Sequence, residues 1–521
     1  MHAVKDVDLD VRPGEIVALV GESGSGKTTV AHAIAGLLPG SGRIDAGRVR
    51  FGGYDLTALS ERELRAIRGA QIGLVPQDPA VALNPVQRIG VQVAEVLRIH
   101  GLATRRAAAR EAIELLGRAG LPDPATRARQ YPHELSGGMR QRALIAIAIA
   151  AQPKLIIADE PTSALDVTVQ RLILDQIQQL TEQLGSAVVL VTHDLGVAAD
   201  RAQRIAVMSQ GRIVEAGATR EILNNPREPY TRKLLGSAPG LTVVRTRAPI
   251  SPARAVLVAE NLVKEFPLPH ADGAARTVRA VSDVSFTVHA GETLALVGES
   301  GSGKSTTARM VLRLTEPTAG RISFDGADVT AATRARLREL RRRAQMIYQN
   351  PYASLDPRFS VHDVITEPLR AFKVGGRAAR TARARELLDR VALPPAVLER
   401  KPAELSGGQR QRVAIARALA LGPDLVVCDE PVSALDVSVQ AQVLDLLTEL
   451  QSTTGVAYLF ISHDLAVVRQ IAHRVAVMQS GRIVETGVTR DLFDHPAHDY
   501  TRSLLAAIPG HQEALPHDHR R

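Results

Sequence analysis

Two stretches of the chain carry residue types and a spacing that bind phosphate. Residues 21–29 read GESGSGKTT and residues 298–306 read GESGSGKST. In such a loop, glycines let backbone N–H groups turn toward phosphate oxygens, and the helix that follows adds a favourable dipole. The lysine neutralises the β- and γ-phosphates, and the hydroxyl next to it ligates Mg²⁺. A glycine-rich turn that arose by chance is the alternative, and two copies argue against it. The predicted phosphate-binding residues are Gly21, Glu22, Ser23, Gly24, Ser25, Gly26, Lys27, Thr28 and Thr29, and Gly298, Glu299, Ser300, Gly301, Ser302, Gly303, Lys304, Ser305 and Thr306.

An acidic pair follows an apolar run in each half, as LIIADE and as LVVCDE. We expect the first carboxylate, Asp159 or Asp429, to hold hydrated Mg²⁺. The second, Glu160 or Glu430, can polarise the attacking water as a general base. A surface loop is the other interpretation of an Asp-Glu pair, and the phosphate-binding loop upstream disfavours it.

A histidine also follows an apolar run in each half, at His193 and at His463. A lone histidine is usually a core or surface residue. Because this one recurs at the same point of both halves, we interpret it as a contact to the γ-phosphate.

A second anion-binding pattern is present in each half, as LSGGM and as LSGGQ. Ser136 and Ser406 each fit the N-cap of the helix that follows. A Ser-Gly-Gly turn at a helix N-terminus also binds anions. One phosphate loop and one further anion site per half suggest a nucleotide held between the halves. The residues of this second pattern are Ser136, Gly137 and Gly138, and Ser406, Gly407 and Gly408.

Short apolar runs position these residues, at 16–20, 72–76, 155–158 and 187–192. Such runs, separated by helical stretches, are typical of parallel strands buried on both faces. Ligands bind at the carboxyl ends of such strands, so the residues that follow the four runs should form one site. Those residues are Gly21, Gln77, Asp159 and His193, and the second half repeats them as Gly298, Gln349, Asp429 and His463.

The length of the repeat indicates a duplicated domain. We predict a first domain over 1–238, a Pro-containing linker over 239–254, a second domain over 255–510 and a polar tail over 511–521. A helical insert follows the glutamine in each half, with an amphipathic helix over 105–119. The second half has a longer leading segment, so the first domain lacks an opening strand or its start codon lies upstream.

The composition excludes several classes of protein. The 521 residues are 45% hydrophobic, which is ordinary for a globular protein, but only 3% aromatic, which leaves little material for stacking single-stranded nucleic acid. The net charge of +9 fits a solvated, Arg-rich surface. One cysteine, Cys428, excludes an internal disulfide and an all-cysteine metal site, and it fits a small buried hydrophobe. The longest apolar run, 143–151, is too short to cross a bilayer. We expect a soluble protein of a reducing compartment.

The order of these motifs resembles that of the ATP-binding cassette ATPases, over nearly the whole chain and twice. It includes a SALD loop at 163–166 and at 433–436. The resemblance implies two P-loop domains with parallel-sheet cores, antiparallel β subdomains and helical subdomains, packed head to tail around ATP and Mg²⁺. It implies two hydrolytic sites, with Met139 as a mild departure from the signature glutamine. One site would combine Lys27, Gln77, Asp159, Glu160 and His193 with Ser406, and the other Lys304, Gln349, Asp429, Glu430 and His463 with Ser136. The implied metal ligands are Thr28, Gln77 and Asp159, and Ser305, Gln349 and Asp429.

The family usually stacks adenine on an aromatic ring upstream of the phosphate loop. Phe266 is the candidate in the second half. The first half has no aromatic residue before Gly21, so adenine binding there is weaker or the ring lies in a missing start.

The end of each half reads P-x-x-x-Y-T-R-x-L-L, within residues 224–239 and 494–509. This tail resembles the C-terminal extension of peptide and nickel importer ATPases, and fused pairs resemble glutathione and di- or oligopeptide importer ATPases. The resemblance implies two transmembrane permeases, an extracytoplasmic solute-binding protein and a place on the cytoplasmic face of the membrane. Peptide, glutathione and nickel remain open as the transported solute, in that order.

The rival interpretation is a tandem-cassette ATPase that acts on ribosomes or nucleic acid. Ribosome-acting versions carry a long charged linker, whereas this linker is short and contains prolines. DNA-repair versions carry cysteine-ligated zinc or coiled-coil insertions, and neither is present. We therefore favour the importer, with no nucleic-acid partner and with permeases docking near 78–84 and 350–356.

Overall fold

The computed structural model describes residues 2–162, 165–238, 241, 247, 254–267, 277–433 and 435–510. The chain divides into two compact units, Met1–Thr242 with Pro509–Arg521, and Val243–Ile508. Most of the predicted linker, all of the predicted tail over 511–521, and residues 163, 164 and 434 of the SALD loops lie outside the described residues.

The first unit is built on a six-stranded sheet in the order β4-β5-β6-β1-β7-β8. Its first five strands are parallel and β8 is antiparallel to β7. The central strands are buried along their whole length, because helices cover both faces of a parallel sheet. A two-stranded hairpin, β2-β3, stands apart. The strands are β1 (Ile16–Val20), β2 (Arg50–Phe51), β3 (Tyr54–Asp55), β4 (Ile72–Val75), β5 (Leu155–Asp159), β6 (Ala187–Thr192), β7 (Arg204–Ser209) and β8 (Arg212–Ala218).

Some helices of the first unit begin at a residue whose side chain caps them. Ser136 and Asp166 cap two of them by accepting a backbone N–H three residues on. The amphipathic helix predicted over 105–119 is α5. The helices are α1 (Lys27–Ile34), α2 (Glu61–Ile67), α3 (Pro79–Ala82), α4 (Ile89–Ile99), α5 (Arg105–Arg118), α6 (Pro124–Arg127), α7 (Gly137–Ile149), α8 (Val167–Leu184), α9 (Leu195–Arg201), α10 (Thr219–Asn224) and α11 (Pro229–Gly236).

The second unit repeats the parallel core in the order β14-β15-β16-β11-β17-β18 and adds a four-stranded antiparallel sheet, β10-β9-β12-β13. Its strands are β9 (Ala255–Pro267), β10 (Thr277–His289), β11 (Thr293–Val297), β12 (Ala319–Phe324), β13 (Ala327–Asp328), β14 (Ala344–Ile347), β15 (Leu425–Asp429), β16 (Ala457–Ser462), β17 (Arg474–Gln479) and β18 (Arg482–Val488). Its helices are α12 (Lys304–Val311), α13 (Arg334–Arg343), α14 (Pro351–Ser354), α15 (Val361–Ala371), α16 (Arg377–Arg390), α17 (Gly407–Leu419), α18 (Val437–Thr454), α19 (Leu465–Ile471), α20 (Thr489–Asp494) and α21 (Asp499–Ala506).

The two units differ most in their antiparallel strands. Residues 2–14 of the first unit form no strand, whereas the corresponding part of the second unit belongs to β10. The chain nevertheless makes one matching contact. The N–H of Lys5 donates to the carbonyl of Gly211, and the N–H of Ser282 donates to that of Gly481, both at 2.7 Å.

Two expectations from composition can be compared with the structure, one on Cys428 and one on membrane spans. Cys428 is completely buried in β15, and burial raises the pKa of its thiol, so it packs as a small apolar residue. Among the described residues, no helix combines the length and the hydropathy that a membrane span requires.

Candidate active sites

Each candidate site lies at one edge of a parallel sheet. In the first unit, β4, β5, β6 and β1 are neighbours and run in the same direction, so their carboxyl ends meet. This arrangement brings the phosphate loop together with Gln77, Asp159, Glu160 and His193. In the second unit, β14, β15, β16 and β11 bring together the corresponding residues, which are the second phosphate loop, Gln349, Asp429, Glu430 and His463.

The phosphate loop begins at a glycine that no other residue could replace without a clash. Gly21 has a φ of +154°, and a Cβ there would lie 2.3 Å from the carbonyl oxygen of Met208. At Gly298 the corresponding distance, to Met478, is 2.1 Å. Contacts this short are far inside van der Waals range, so the close approach to the neighbouring strand requires glycine.

The loop lysines are buried and held by backbone carbonyls. Lys27 Nζ donates to the carbonyl oxygens of Gly21 at 2.8 Å and Glu22 at 2.9 Å. Lys304 Nζ donates to Gly298 at 2.8 Å and to Glu299 at 2.7 Å. A buried ammonium group must be paired or hydrogen-bonded. These carbonyls therefore hold each lysine over its loop.

The hydroxyl after each lysine meets the first carboxylate of the acidic pair. Thr28 Oγ1 donates to Asp159 Oδ1 at 3.1 Å, and Ser305 Oγ donates to Asp429 Oδ1 at 3.0 Å. Burial, together with the neighbouring glutamate, raises the pKa of both aspartates. A carboxylate in this state lacks a full counter-charge, which a cation would provide.

The donor set suits a hard, oxygen-preferring cation. Mg²⁺ usually binds through one or two carboxylates together with substrate phosphates and waters. No group of three or more His, Cys, Asp or Glu side chains suited to a metal occurs in the described part of the chain. In each unit, the hydroxyl and the carboxylate described above and the glutamine amide are oxygen donors of the kind that Mg²⁺ prefers.

The second carboxylate is clamped between two side chains. Glu160 Oε2 accepts a hydrogen bond from Gln77 Nε2 at 2.9 Å, and Glu160 Oε1 lies 3.2 Å from His193 Nδ1. In the second unit the same distances, from Glu430 to Gln349 and to His463, are 2.7 Å and 3.1 Å. Each glutamate is thus fixed in one orientation.

These contacts keep the second carboxylate ionised. Burial alone would raise the pKa of Glu160, but the hydrogen bond and charge of His193, with Lys27 and Gln77, lower it overall. The pKa of Glu430 is lowered in the same way. Burial likewise opposes the charging of His463, yet Glu430 raises its pKa overall. An ionised, oriented glutamate has the properties of a general base.

The backbone at both glutamates is left-handed. Glu160 has a φ of 44° and Glu430 a φ of 49°. The N–H of Glu160 donates to the carbonyl of Val191 at 2.9 Å, and that of Glu430 to Ile461 at 3.0 Å. An unusual conformation held by a neighbouring strand is often found at functional sites, and the sequence carries no sign of it.

The Ser-Gly-Gly segments begin α7 and α17. Ser136 Oγ accepts the N–H of Met139, and Ser406 Oγ accepts the N–H of Gln409, both at 3.3 Å. In the second unit Gln409 Oε1 also accepts the N–H of Ser406 at 3.1 Å, which completes a capping box. Methionine has no group that can do this.

The second glycine of each segment packs against a valine. A Cβ added at Gly138 would lie 2.6 Å from Val169 Cγ1, and one at Gly408 would lie 2.4 Å from Val439 Cγ1. Ser136 and Ser406 themselves are exposed. The serines are therefore open to a ligand, while the glycines set the packing of the helix start.

Phe266, the candidate adenine contact, lies near the end of β9 and is 40% exposed. Lys264 Nζ lies 5.1 Å from its ring centroid, so one neighbour of the ring is a cation. An exposed aromatic ring can stack on a base. The first unit has no equivalent, because residues 2–20 contain no aromatic side chain.

Two residues that touch the phosphate loops were missed in the sequence. The Tyr230 hydroxyl accepts the N–H of Glu22, and the Tyr500 hydroxyl accepts the N–H of Glu299, both at 3.1 Å. Both tyrosines belong to the repeated tail motif. The only signal in the sequence was that a tyrosine recurs there, which does not reveal what it contacts.

Family models match both halves of the chain. The ABC transporter model matches residues 4–163 and 281–433. The model of the oligopeptide/dipeptide transporter C-terminal region matches residues 214–259 and 484–520, which contain the tail motifs. The matched segments thus occur in the same order twice.

Curated relatives match over nearly the whole chain. The glutathione import ATP-binding protein GsiA of Escherichia coli O157:H7 is 46% identical over 97% of this chain and 86% of its own length. GsiA of Salmonella typhimurium is 45% identical over 98% of this chain and 87% of its own length.

A solved structure matches the fold over most of the chain. The archaeal ribosome recycling factor aABCE1, in complex with the ribosomal stalk protein aP1, superposes with a TM-score of 0.62 over 93% of this chain and 88% of that one. Its sequence identity is 24%, so the likeness concerns the fold alone. Together with the family matches, it confirms the fold class predicted from the sequence.

Proposed function

The chain belongs to the ABC transporter family and is an ATPase of that family, and we propose that it powers the import of a short peptide or a related solute. Glutathione, itself a tripeptide, is the solute named for the relatives that match over almost the full chain. The proposal rests on one arrangement that is intact in both units, in which a glutamate is held between a glutamine and a histidine, and which we call the glutamate clamp. The tail segments that match the oligopeptide/dipeptide transporter model support it further.

The loop residues would bind and orient the nucleotide. Backbone N–H groups of the loop and Lys27 would hold the phosphates, as Lys304 would in the second unit. Thr28, Asp159 and Gln77 are suited to hold Mg²⁺ with the nucleotide, and Ser305, Asp429 and Gln349 correspond to them. Mg²⁺ held by these residues would neutralise negative charge on the phosphates.

The glutamate of the clamp would accept the proton during hydrolysis. Glu160 would accept a proton from the water that attacks the γ-phosphorus, since it is ionised and fixed in orientation. His193 would hold the glutamate and contact the γ-phosphate. Gln77 would report the state of the nucleotide to the helices that follow it. Glu430, His463 and Gln349 would act in the same way.

Each site would be completed by the other cassette. We propose that Ser406 faces the nucleotide held by Lys27, and that Ser136 faces the one held by Lys304. Both serines are exposed and each lies at the N-terminus of a thirteen-residue helix. A helix start of this kind attracts the negative phosphates.

Transport requires partners that cross the membrane. We propose two permease subunits and an extracytoplasmic solute-binding protein, with this chain on the cytoplasmic face of the membrane. The segments 78–84 and 350–356 would receive the permeases. They follow the catalytic glutamines and expose Val81 and Tyr352, and apolar groups of this kind favour a protein contact.

Uptake in the source organism tests the proposal. The gene would be deleted and uptake of labelled glutathione, a dipeptide and nickel compared before and after. We expect glutathione or dipeptide uptake to fall and to be restored by the unmodified gene, but not by the Glu160→Gln/Glu430→Gln variant. That variant should retain bound ATP, because the amide leaves the phosphate loop untouched but cannot accept the proton. Unchanged uptake of all three solutes would contradict the proposal.

A further inference from the structure

The tail that follows each catalytic core reaches back to the phosphate loop. In the first unit it consists of α10 and α11, and Tyr230 on α11 accepts the N–H of Glu22. In the second unit Tyr500 on α21 accepts the N–H of Glu299. These partners are 208 and 201 residues apart in the sequence. Because the same contact forms in both units at the same distance of 3.1 Å, we interpret it as a specific feature of the fold.

The bonded N–H belongs to the peptide group that also holds the loop lysine. The carbonyl of Gly21 and the N–H of Glu22 are the two ends of one planar peptide unit. Lys27 Nζ donates to the carbonyl end at 2.8 Å, while the tyrosine hydroxyl accepts from the N–H end at 3.1 Å. When phosphates draw the lysine away from the carbonyl, the tyrosine remains as the partner that fixes this peptide.

The rest of the tail motif holds the tyrosine in place. The Arg232 side chain donates to the carbonyls of Pro226 and Arg227, which closes the turn before α11. Thr231 and Leu234 are buried beneath the helix. In the second unit Arg502 closes the turn on Pro496 and Ala497, while Thr501 and Leu504 are buried.

A glutamate on the last strand of each core secures the same turn. Glu215 on β8 accepts the N–H groups of Arg227 at 2.7 Å and Glu228 at 3.3 Å. Glu485 on β18 accepts those of Ala497 at 2.8 Å and His498 at 3.0 Å. The turn is therefore tied to the sheet as well as to itself, and the helix that carries the tyrosine has a fixed origin.

We propose that Tyr230 and Tyr500 are positioning residues for the two phosphate loops, through which the C-terminal tail sets the affinity for ATP. The inference rests on the proposed ATP sites. It gives the P-x-x-x-Y-T-R-x-L-L motif at the end of each half a role in nucleotide binding. Loss of the hydroxyl leaves a half-buried N–H without its partner and frees the peptide to rotate, so the loop must be ordered again when ATP binds.

Removal of one hydroxyl tests the proposal with little change in packing. Tyr230→Phe would be made in the full chain with the second loop silenced by Lys304→Ala, and Tyr500→Phe with the first silenced by Lys27→Ala. Tyr54→Phe, at an exposed tyrosine of the first unit, is the matched control. We expect the Kd for ATP to rise about three- to tenfold, as loss of one such hydrogen bond predicts, and the control to leave it unchanged.

A second readout separates positioning from a structural role. The Tyr230→Phe/Tyr500→Phe chain should show a raised KM for ATP with kcat unchanged, even where loss of the two hydrogen bonds also lowers the nucleotide-free Tm. A lowered Tm with unchanged Kd and KM would overturn the proposal, since the tyrosines would then only stabilise the tail. Failure of the unmodified chain to bind ATP would overturn the proposed function as well. Loss of import with normal ATP binding would affect only the proposed function.

Discussion

In the first unit the segment after Gln77 is held by the side-chain amide of Gln92, and in the second unit the segment after Gln349 is held by arginines. Gln92 on α4 exchanges hydrogen bonds with the backbone of Asn84 at 2.9 and 3.0 Å and donates to the carbonyl of Gln87 at 3.0 Å. In the second unit a buried valine, Val364, occupies the position of Gln92 on the corresponding helix, α15.

The second unit ties the same segment to its Ser-Gly-Gly helix, α17. Arg417 Nη1 donates to the carbonyl of Ser354 at 2.6 Å. The guanidinium carbon of Arg410 lies 3.8 Å from the ring centroid of Tyr352. The first unit has Ile147 and Ala80 at the positions of Arg417 and Tyr352, and neither can make these contacts.

The duplicated halves match in the contacts of Glu160 and Glu430 and differ in the side chains that anchor the segment after each glutamine. The glutamate clamps agree to within 0.2 Å in each distance, since 2.9 and 3.2 Å in one unit become 2.7 and 3.1 Å in the other. The segments that we propose to receive permeases are anchored differently. We infer that the second unit couples its docking segment more rigidly to Ser406.

The largest expected effect tests the equality of the two clamps. Glu160→Gln and Glu430→Gln, made singly, should each slow hydrolysis at their own site by about 10²- to 10⁴-fold, because the general base is lost. Single-turnover measurement of ATP cleavage in each variant gives the residual rate. Equal residual rates in the two variants would show that the two sites are equivalent. One inactive variant and one fully active variant would show that they are not.

The next-largest effect tests whether arginine anchors the segment after Gln349. Arg417→Ile gives the second unit the residue of the first and leaves the Ser354 carbonyl without its partner, which costs about 1–3 kcal/mol of local stability. Hydrogen exchange should become faster in residues 350–355 and stay unchanged in 78–83. Arg377→Ala, at an exposed arginine on α16, is the control. Equal exchange in the variant and the parent would show that the arginine does not anchor the segment.

A smaller effect concerns the start of the Ser-Gly-Gly helices. Met139→Gln should complete the capping box that Gln409 forms in the second unit and stabilise the first unit by about 0.5–1 kcal/mol. Gln409→Met should destabilise the second unit by a similar amount. Thermal unfolding of both variants measures these shifts. A change of the same sign in both would contradict the assignment.

The smallest effect is a dependence on pH. The raised pKa of His463 means that its interaction with Glu430 stabilises the fold fully below the ordinary histidine pKa and is lost as pH rises through the folded value. The lowered pKa of Glu430 means that its share is lost as pH falls through its folded value, below that of an ordinary glutamate. From pH 6 to pH 9, the free energy of unfolding of the parent should therefore fall by up to about 1 kcal/mol, which corresponds to roughly 2–4 °C in Tm. The Glu430→Gln variant should not show this loss.

Thermal unfolding of the parent and of Glu430→Gln at pH 6 and at pH 9 measures this difference. Equal losses of stability in the two proteins would show that the contact between His463 and Glu430 does not set the pH dependence.

The sequence predicts the parts of the structure that depend on local pattern. The apolar runs became parallel strands, and the side chains placed at their ends, such as Gln77 and Glu160, came into contact. Parallel strands have their carboxyl ends on the same side of the sheet, so the side that carries the site could be anticipated without the strand order.

Contacts between distant segments could not be predicted. The hydrogen bond from Glu22 to Tyr230 depends on how the tail folds back over the core, which no local pattern encodes. The anchoring by Arg417 likewise depends on a backbone carbonyl, and a carbonyl has no signature in a sequence. The left-handed backbone of Glu160 is imposed by the neighbouring strand, against the preference of the residue itself.

That left-handed glutamate limits how far the protein can be stabilised by engineering. A non-glycine residue in this conformation costs about 1–2 kcal/mol, and each unit has one at its glutamate clamp, Glu160 or Glu430. Asparagine tolerates the conformation better, but it cannot place a carboxylate on the water. Selection for heat resistance alone would therefore favour the loss of the two glutamates that we propose as general bases, a trade-off between stability and turnover that the backbone conformation imposes.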